Sequence, residues 1–85
     1  MTKSTFTPSY KLMVSALIDL RHQAGVNQIE LAKRLGKQQA FVSNFERGVR
    51  RLDLIEFYAI VHALGGDPVA VFAALAARLP KKISI

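Results

Sequence analysis

Apolar residues return along the chain at intervals of three and four, in five blocks separated by short polar or glycine-containing breaks. Leu12, Met13, Ala16, Leu17 and Leu20 make one stripe and predict a helix over residues 9–24. Pro8 suits its start, Thr7 is a candidate cap, and Gly25 ends it. Asn27, with Glu30 three residues on, opens a second helix whose buried face is Leu31, Ala32 and Leu35, closed by Gly36. A third, over residues 39–47, turns Val42 and Phe45 inward, stops at Gly48 and leads into a basic loop over residues 49–52. Asp53 and Glu56 repeat the capping pattern for a fourth helix, which predicts Leu54, Phe57, Tyr58, Val61 and Leu64 on one face and an end at Gly65 and Gly66. Asp67 and Pro68 open a fifth, which runs to about residue 79 before Pro80. No stretch alternates with a two-residue period, so the fold class is all-α with five short helices. Residues 1–8, rich in Thr and Ser and carrying Lys3, read as a flexible arm. Residues 1–85 read as a single domain.

Composition narrows this picture. A formal net charge of +6 and a pI near 10.2 favour a polyanionic partner. A hydrophobic content of 51% argues against disorder. The chain has no cysteine, so neither disulfides nor cysteine-bound zinc can support so small a core. No apolar run is long enough to span a bilayer, and the N-terminus lacks the apolar core of a signal peptide. The expectation is a cytoplasmic protein without a membrane partner.

The functional signal lies in residues 28–47, QIELAKRLGKQQAFVSNFER. Two short helices joined by a tight turn can cross steeply only if three requirements are met. Ala32 must be small where the helices cross, Gly36 must accept the turn, and Val42 and Phe45 must fill the wedge between them. On Arg21, Gly25, Gln28, Leu31, Ala32, Leu35, Gly36, Val42, Ser43, Glu46, Gly48, Leu54 and Leu64-Gly65, the stretch from about residue 20 to residue 72 resembles the phage repressor/Cro-type, or XRE, helix-turn-helix family.

The resemblance implies a five-helix lambda-repressor-like DNA-binding domain, with the helix-turn-helix over residues 27–47 and the third helix in the major groove of double-stranded DNA. It implies Gln39, Ala40, Ser43 and Asn44 as base readers, Gln and Asn being able to pair bidentately with adenine. It implies Gln28, Lys37, Gln38, Arg47, Arg50 and Arg51 along the phosphate backbone. Two departures stand out. Gln38 occupies a cap position better filled by Ser or Thr, and Phe41 is a large aromatic on the reading helix. Glu46, acidic among basic residues, is expected to form an internal ion pair, Arg21 being the candidate.

The fifth helix, PVAVFAALAARL over residues 68–79, is apolar on all faces and so wants burial on more than one side. This predicts a symmetric homodimer built by residues 67–79, with Val69, Val71, Phe72, Leu75 and Leu79 at the interface. The alternative is a helix packed on its own core with an alanine-rich exposed face. The expected function is a dimeric repressor reading a palindromic operator. Antitoxins and restriction-modification controllers share this fold and form the alternative, with DNA binding serving autoregulation. His22 and His62 are isolated, and no nucleophile-base pair, metal cluster or phosphate-cradling loop is present. No enzyme activity, metal or cofactor is expected.

Overall fold

The computed structural model describes residues 7–83. It contains α1 (Pro8–Gln23), α2 (Gln28–Leu35), α3 (Gln39–Glu46), α4 (Leu54–Ala63) and α5 (Pro68–Arg78), with no strand among the described residues. The helix starts follow from side-chain caps. Thr7, Asn27, Asp53 and Asp67 each accept a hydrogen bond from a first-turn N–H, and at α4 Glu56 returns the bond to make a complete capping box. Pro8 is already helical, so α1 begins inside the stretch read as an arm. Residues 1–6 of that arm lie outside the described residues.

The α2–α3 turn depends on Gly36, whose φ of +67° is a left-handed conformation that a Cβ would strain. Lys37 N–H then reaches back to the Ala32 carbonyl at 2.9 Å, which closes the end of α2 and redirects the chain. Ala32 is 2% exposed where the helices cross, while Val42 and Phe45 are fully buried behind α3. Leu17, Leu31, Ile60 and Val61 complete the centre of the core.

Two faces differ from the sequence pattern. On α4 the inward residues are Phe57, Ile60 and Val61, followed by Leu64, whereas Leu54 and Tyr58 are 69% and 55% exposed. The axis turns through 119° between α4 and α5, and among the described residues no element covers the start of α4. On α5, Leu75 is 4% exposed and belongs to this chain's own core, with Val71 and Leu79 packed against it. Leu75 is therefore unavailable to a second copy. Burial of a leucine contributes about 1.5–3 kcal/mol, which favours this side of α5 facing inward. The outer side carries Val69 (78% exposed), Phe72 (47%) and a run of alanines. Among the described residues, no single helix is long and apolar enough to cross a membrane.

Candidate nucleic-acid interface

An α-helix advances about 100° per residue, so Gln39, Ser43, Arg47, Ala40 and Asn44 share an arc of about 140° on α3. Val42 and Phe45 occupy the opposite side and are buried. Gln39 and Ala40 are exposed, and Ser43 and Asn44 are half-buried. The four expected readers thus lie on one surface. Gln38 forms no side-chain cap, which leaves first-turn N–H groups of α3 without a side-chain partner.

Behind this surface runs a chain of hydrogen bonds. Arg21 donates to the Glu46 carboxylate through Nε at 2.7 Å and Nη2 at 3.0 Å, and through Nη1 to the Val26 carbonyl at 2.9 Å. The pair is the expected internal one, with side chains only 10% and 6% exposed. Gln28 Nε2 donates to Glu46 Oε1 at 3.0 Å, and Gln39 Nε2 donates to Gln28 Oε1 at 3.4 Å. The amide orientations follow from the charged end. A carboxylate only accepts, so Gln28 must turn its NH₂ toward Glu46 and its oxygen toward Gln39. Gln39 then keeps its own oxygen and one N–H for the outside.

The expected backbone contacts are less uniform. Gln28 is half-buried at the start of α2 and engaged with Glu46. Lys37 and Gln38 are exposed in the turn, Lys37 lying 5.6 Å from the centre of the Phe41 ring. Arg47 folds back on α3, with Nη2 donating to Asn44 Oδ1 at 2.8 Å and Nε to the Ser43 carbonyl at 3.4 Å. Arg50 is held by the protein. It donates to both Glu56 oxygens, at 3.1 and 2.8 Å, and lies 4.7 Å above the Phe41 ring. Its hydrogen bond to Glu56 raises the Arg50 pKa and holds the Glu56 carboxyl below its ordinary range, the Asp53 N–H adding to the latter. Arg51 stacks 5.3 Å above the Tyr10 ring, whose hydroxyl accepts from Leu52 N–H at 2.8 Å.

Phe41, the aromatic departure, packs edge-on against Phe45 and supports Arg50. Sequence reasoning missed the parts played by Tyr10 and Glu56. Glu56 was legible as a cap but not as the partner of Arg50, and a lone Tyr on α1 carries no signal of its contact 42 residues away. His22 and His62 are exposed, His62 stacked on Tyr58 with ring centres 6.0 Å apart. Leu54, Ile55, Phe57, Tyr58, Val69 and Phe72 line an apolar groove between α4 and α5, beginning just beyond the basic loop.

Residues 17–71 match the family described as helix-turn-helix. Among curated proteins, the chain is 38% identical over 52 residues to antitoxin HipB of Escherichia coli O6:H1, covering 61% of this chain and 55% of that protein. It is also 38% identical over 55 residues to the uncharacterized HTH-type transcriptional regulator y4dJ of Sinorhizobium fredii, covering 65% and 71%. The aligned segment spans about half the length of HipB. Among solved structures, an XRE-family like protein from Pseudomonas syringae pv. tomato superposes with a TM-score of 0.81 at 43% identity, covering 85% of this chain and 88% of that one.

Proposed function

This chain belongs to the XRE-type helix-turn-helix family of DNA-binding transcription regulators, and from that premise we propose that it is a cytoplasmic, sequence-specific repressor that reads a palindromic operator as a homodimer. The observation that carries the reading is the relay from Arg21 through Glu46 and Gln28 to Gln39. It spends buried hydrogen bonds on orienting one exposed amide at the start of α3. In this reading α3 enters the major groove, and Gln39 offers adenine one acceptor and one donor, worth about 1–3 kcal/mol of discrimination. Ala40 and Ser43 line the same surface. Lys37, Gln38, Arg47 and Arg51 supply phosphate contacts, with Gln28 beside them. Arg50 joins them only with the N–H groups that Glu56 leaves unused.

The second copy sits on the α4–α5 groove. Leu54, Ile55, Tyr58, Val69 and Phe72 are each about half exposed or more. Together they offer on the order of 500 Å² of apolar surface, at the upper end of what a monomer ordinarily leaves uncovered. Among the described residues, no Lys or Arg lines the groove, so two basic chains can meet there without opposed cations from these residues. The groove begins at Leu54, just beyond the basic loop, and in this reading a two-fold pairing through it would set the two α3 helices about one DNA turn apart. Val71 and Leu79 lie too close to the core to lead such an interface.

Selection from a randomised duplex pool at physiological salt tests the assignment. Wild type should enrich a palindrome, and Gln39→Ala should lose its preference for adenine at one symmetric pair of positions. Failure of the wild type to enrich any sequence would refute it. The similarity to antitoxin HipB supports a second reading, in which the protein also neutralises a partner protein and represses its own operon. A stable complex with the product of an adjacent reading frame would favour it.

A further inference from the structure

Tyr10 joins α1 to the basic loop that follows the reading helix, and the join has a direction. Its hydroxyl oxygen accepts from Leu52 N–H at 2.8 Å. A phenolic hydroxyl has one hydrogen to give, and a backbone N–H cannot receive it. Among the described residues no acceptor takes that hydrogen, and Tyr10 is only half-buried. The Arg51 guanidinium lies 5.3 Å from the centre of the same ring. Hydroxyl and guanidinium therefore share one small surface, and both are donors. Asp53 and Glu56, the acidic residues that follow the loop, are turned to other partners: Asp53 accepts from Glu56 N–H, and Glu56 from Arg50. Tyr10 also stands in the first turn of α1, where the helix dipole favours an anion. The loop itself is tied to the reading helix, because the Asn44 carbonyl accepts from Val49 N–H at 2.8 Å and Arg50 N–H at 3.1 Å. Arg50 Nη1 donates to the Arg51 carbonyl at 3.0 Å, which fixes the next residue as well.

Resting on the DNA-reading function proposed above, we infer that Tyr10 and Arg51 form a two-donor clamp for a single DNA phosphate, the Tyr10 hydroxyl donating to one phosphate oxygen and the Arg51 guanidinium to another. The resemblance implies Arg51 on the backbone but assigns nothing to α1. A backbone phosphate offers acceptor oxygens and no donor, which suits two donors held side by side. Neither residue belongs to α3, whose exposed arc faces the base edges, so the backbone is what this pair meets. Leu52 N–H gives the clamp its polarity: by engaging the hydroxyl oxygen it leaves the hydrogen for the phosphate. The two members divide the work. Arg51 brings the charge that displaces a counterion. Tyr10 is neutral and brings none, but it fixes where the phosphate sits relative to α3, because the loop it holds is anchored on the Asn44 carbonyl.

The test is a methylphosphonate scan of the operator that wild type selects from the randomised pool, one phosphate neutralised at a time. It uses wild type, Tyr10→Phe and Arg51→Met, each checked for its helical signal and melting. Wild type should lose about tenfold in affinity at the clamped phosphate. Both variants should bind the unmodified operator about tenfold more weakly, keep the selected sequence, and lose most of their sensitivity at that same phosphate alone. The slope of log affinity against log salt should fall by about 0.9 for Arg51→Met and stay unchanged for Tyr10→Phe, which removes a neutral donor. O-methyltyrosine at position 10 keeps the oxygen for Leu52 and removes only the hydrogen. It should reproduce the Tyr10→Phe scan, and it carries the test if Tyr10→Phe melts early. Undiminished sensitivity at every phosphate when the hydroxyl is removed, or a reduced salt slope, would leave Tyr10 as a support of the loop and overturn the inference. Variants whose sensitivity vanishes at two different phosphates overturn it as well, while the operator assignment stands. A wild type that selects no operator overturns both.

Discussion

Glu46→Gln is the substitution that most directly probes the link between folding and reading. Glu46 accepts three hydrogen bonds, two from Arg21 and one from Gln28, at a site where its side chain is 6% exposed. Glutamine keeps the size but has one accepting oxygen, and because Arg21 donates to both carboxylate oxygens the new NH₂ faces an Arg21 N–H in either orientation. At least one buried donor is left unsatisfied, which costs about 1–3 kcal/mol and more for a charged group. Removing one partner of a buried ion pair costs about 3–5 kcal/mol. Arg21 retains the Val26 carbonyl, so the low end applies, about 3 kcal/mol. For a domain of this size that lowers the melting temperature by roughly 12–24 °C, out of a total stability of about 5–10 kcal/mol.

Urea and thermal unfolding followed by circular dichroism measure the change. The double variant Arg21→Met, Glu46→Leu separates the ion pair from the space it fills. Apolar side chains of similar volume should restore stability to within about 1 kcal/mol of wild type. They leave Gln28 without its anchor, so adenine discrimination by Gln39 should remain weakened although the protein folds. A loss below about 1 kcal/mol for Glu46→Gln, or a double variant as unstable as the single one, would refute the reasoning.

Glu56 links stability to pH: its carboxyl titrates below its ordinary value because Arg50 and then the Asp53 N–H bind the charged form, so its contribution is present above about pH 4.3 and lost as pH falls through the lower folded value. The melting-temperature gap between wild type and Glu56→Gln, a change that keeps the capping geometry available, should narrow on acidification, and a gap constant from pH 7 to pH 3 would contradict it. Gly36→Ala should cost about 1–2 kcal/mol from the left-handed backbone alone, since an added Cβ meets nothing within 4 Å; an unchanged melt would show that the turn relaxes. Ile55→Asp or Val69→Asp should weaken self-association at least tenfold in sedimentation equilibrium and leave helical content intact, whereas a wild type that stays monomeric at high concentration would remove the groove from the assembly.

Much of the fold was legible because its boundaries are set locally. Asn27, Asp53 and Asp67 cap the helices they precede, and glycine ends the turns that need positive φ. The wedge of Val42 and Phe45 over Ala32 was legible too, because only small and apolar residues at that spacing let two helices cross. The phase of α4 and α5 was not. When nearly every position is apolar, periodicity names no inner face, and packing against α1 and the 119° turn decide it. Hence Leu54 and Tyr58 emerge at the surface while Leu75 goes inside. At the interface, residue types were legible but donor and acceptor polarity was not. An amide has two faces, and only a charged neighbour in space settles which one is shown.

The same geometry revises what the charge count implies about affinity. The chain has 12 Lys and Arg against 6 Asp and Glu. Among the described residues, Arg21 is paired with Glu46 inside, Arg34 with Glu30 and the Ala63 carbonyl, and Arg50 with Glu56. The last two pairs differ in consequence. Arg34 fastens α2 to the end of α4, away from the arc of readers, and its charge is structural. Arg50 lies beside Phe41 at the edge of that arc, so any phosphate that takes it must compete with a two-point carboxylate. Each phosphate neutralised adds about 0.9 to the slope of log affinity against log salt. In the proposed complex, a subunit that relied on Lys37, Arg47 and Arg51 for phosphate contacts would gain a slope near 3, well short of what its basic residues suggest. Modest electrostatic affinity per subunit would put more of the free energy on the amides of Gln39 and Asn44; in the proposed dimer a second subunit would double the phosphate contacts and the base contacts alike, for a slope near 5.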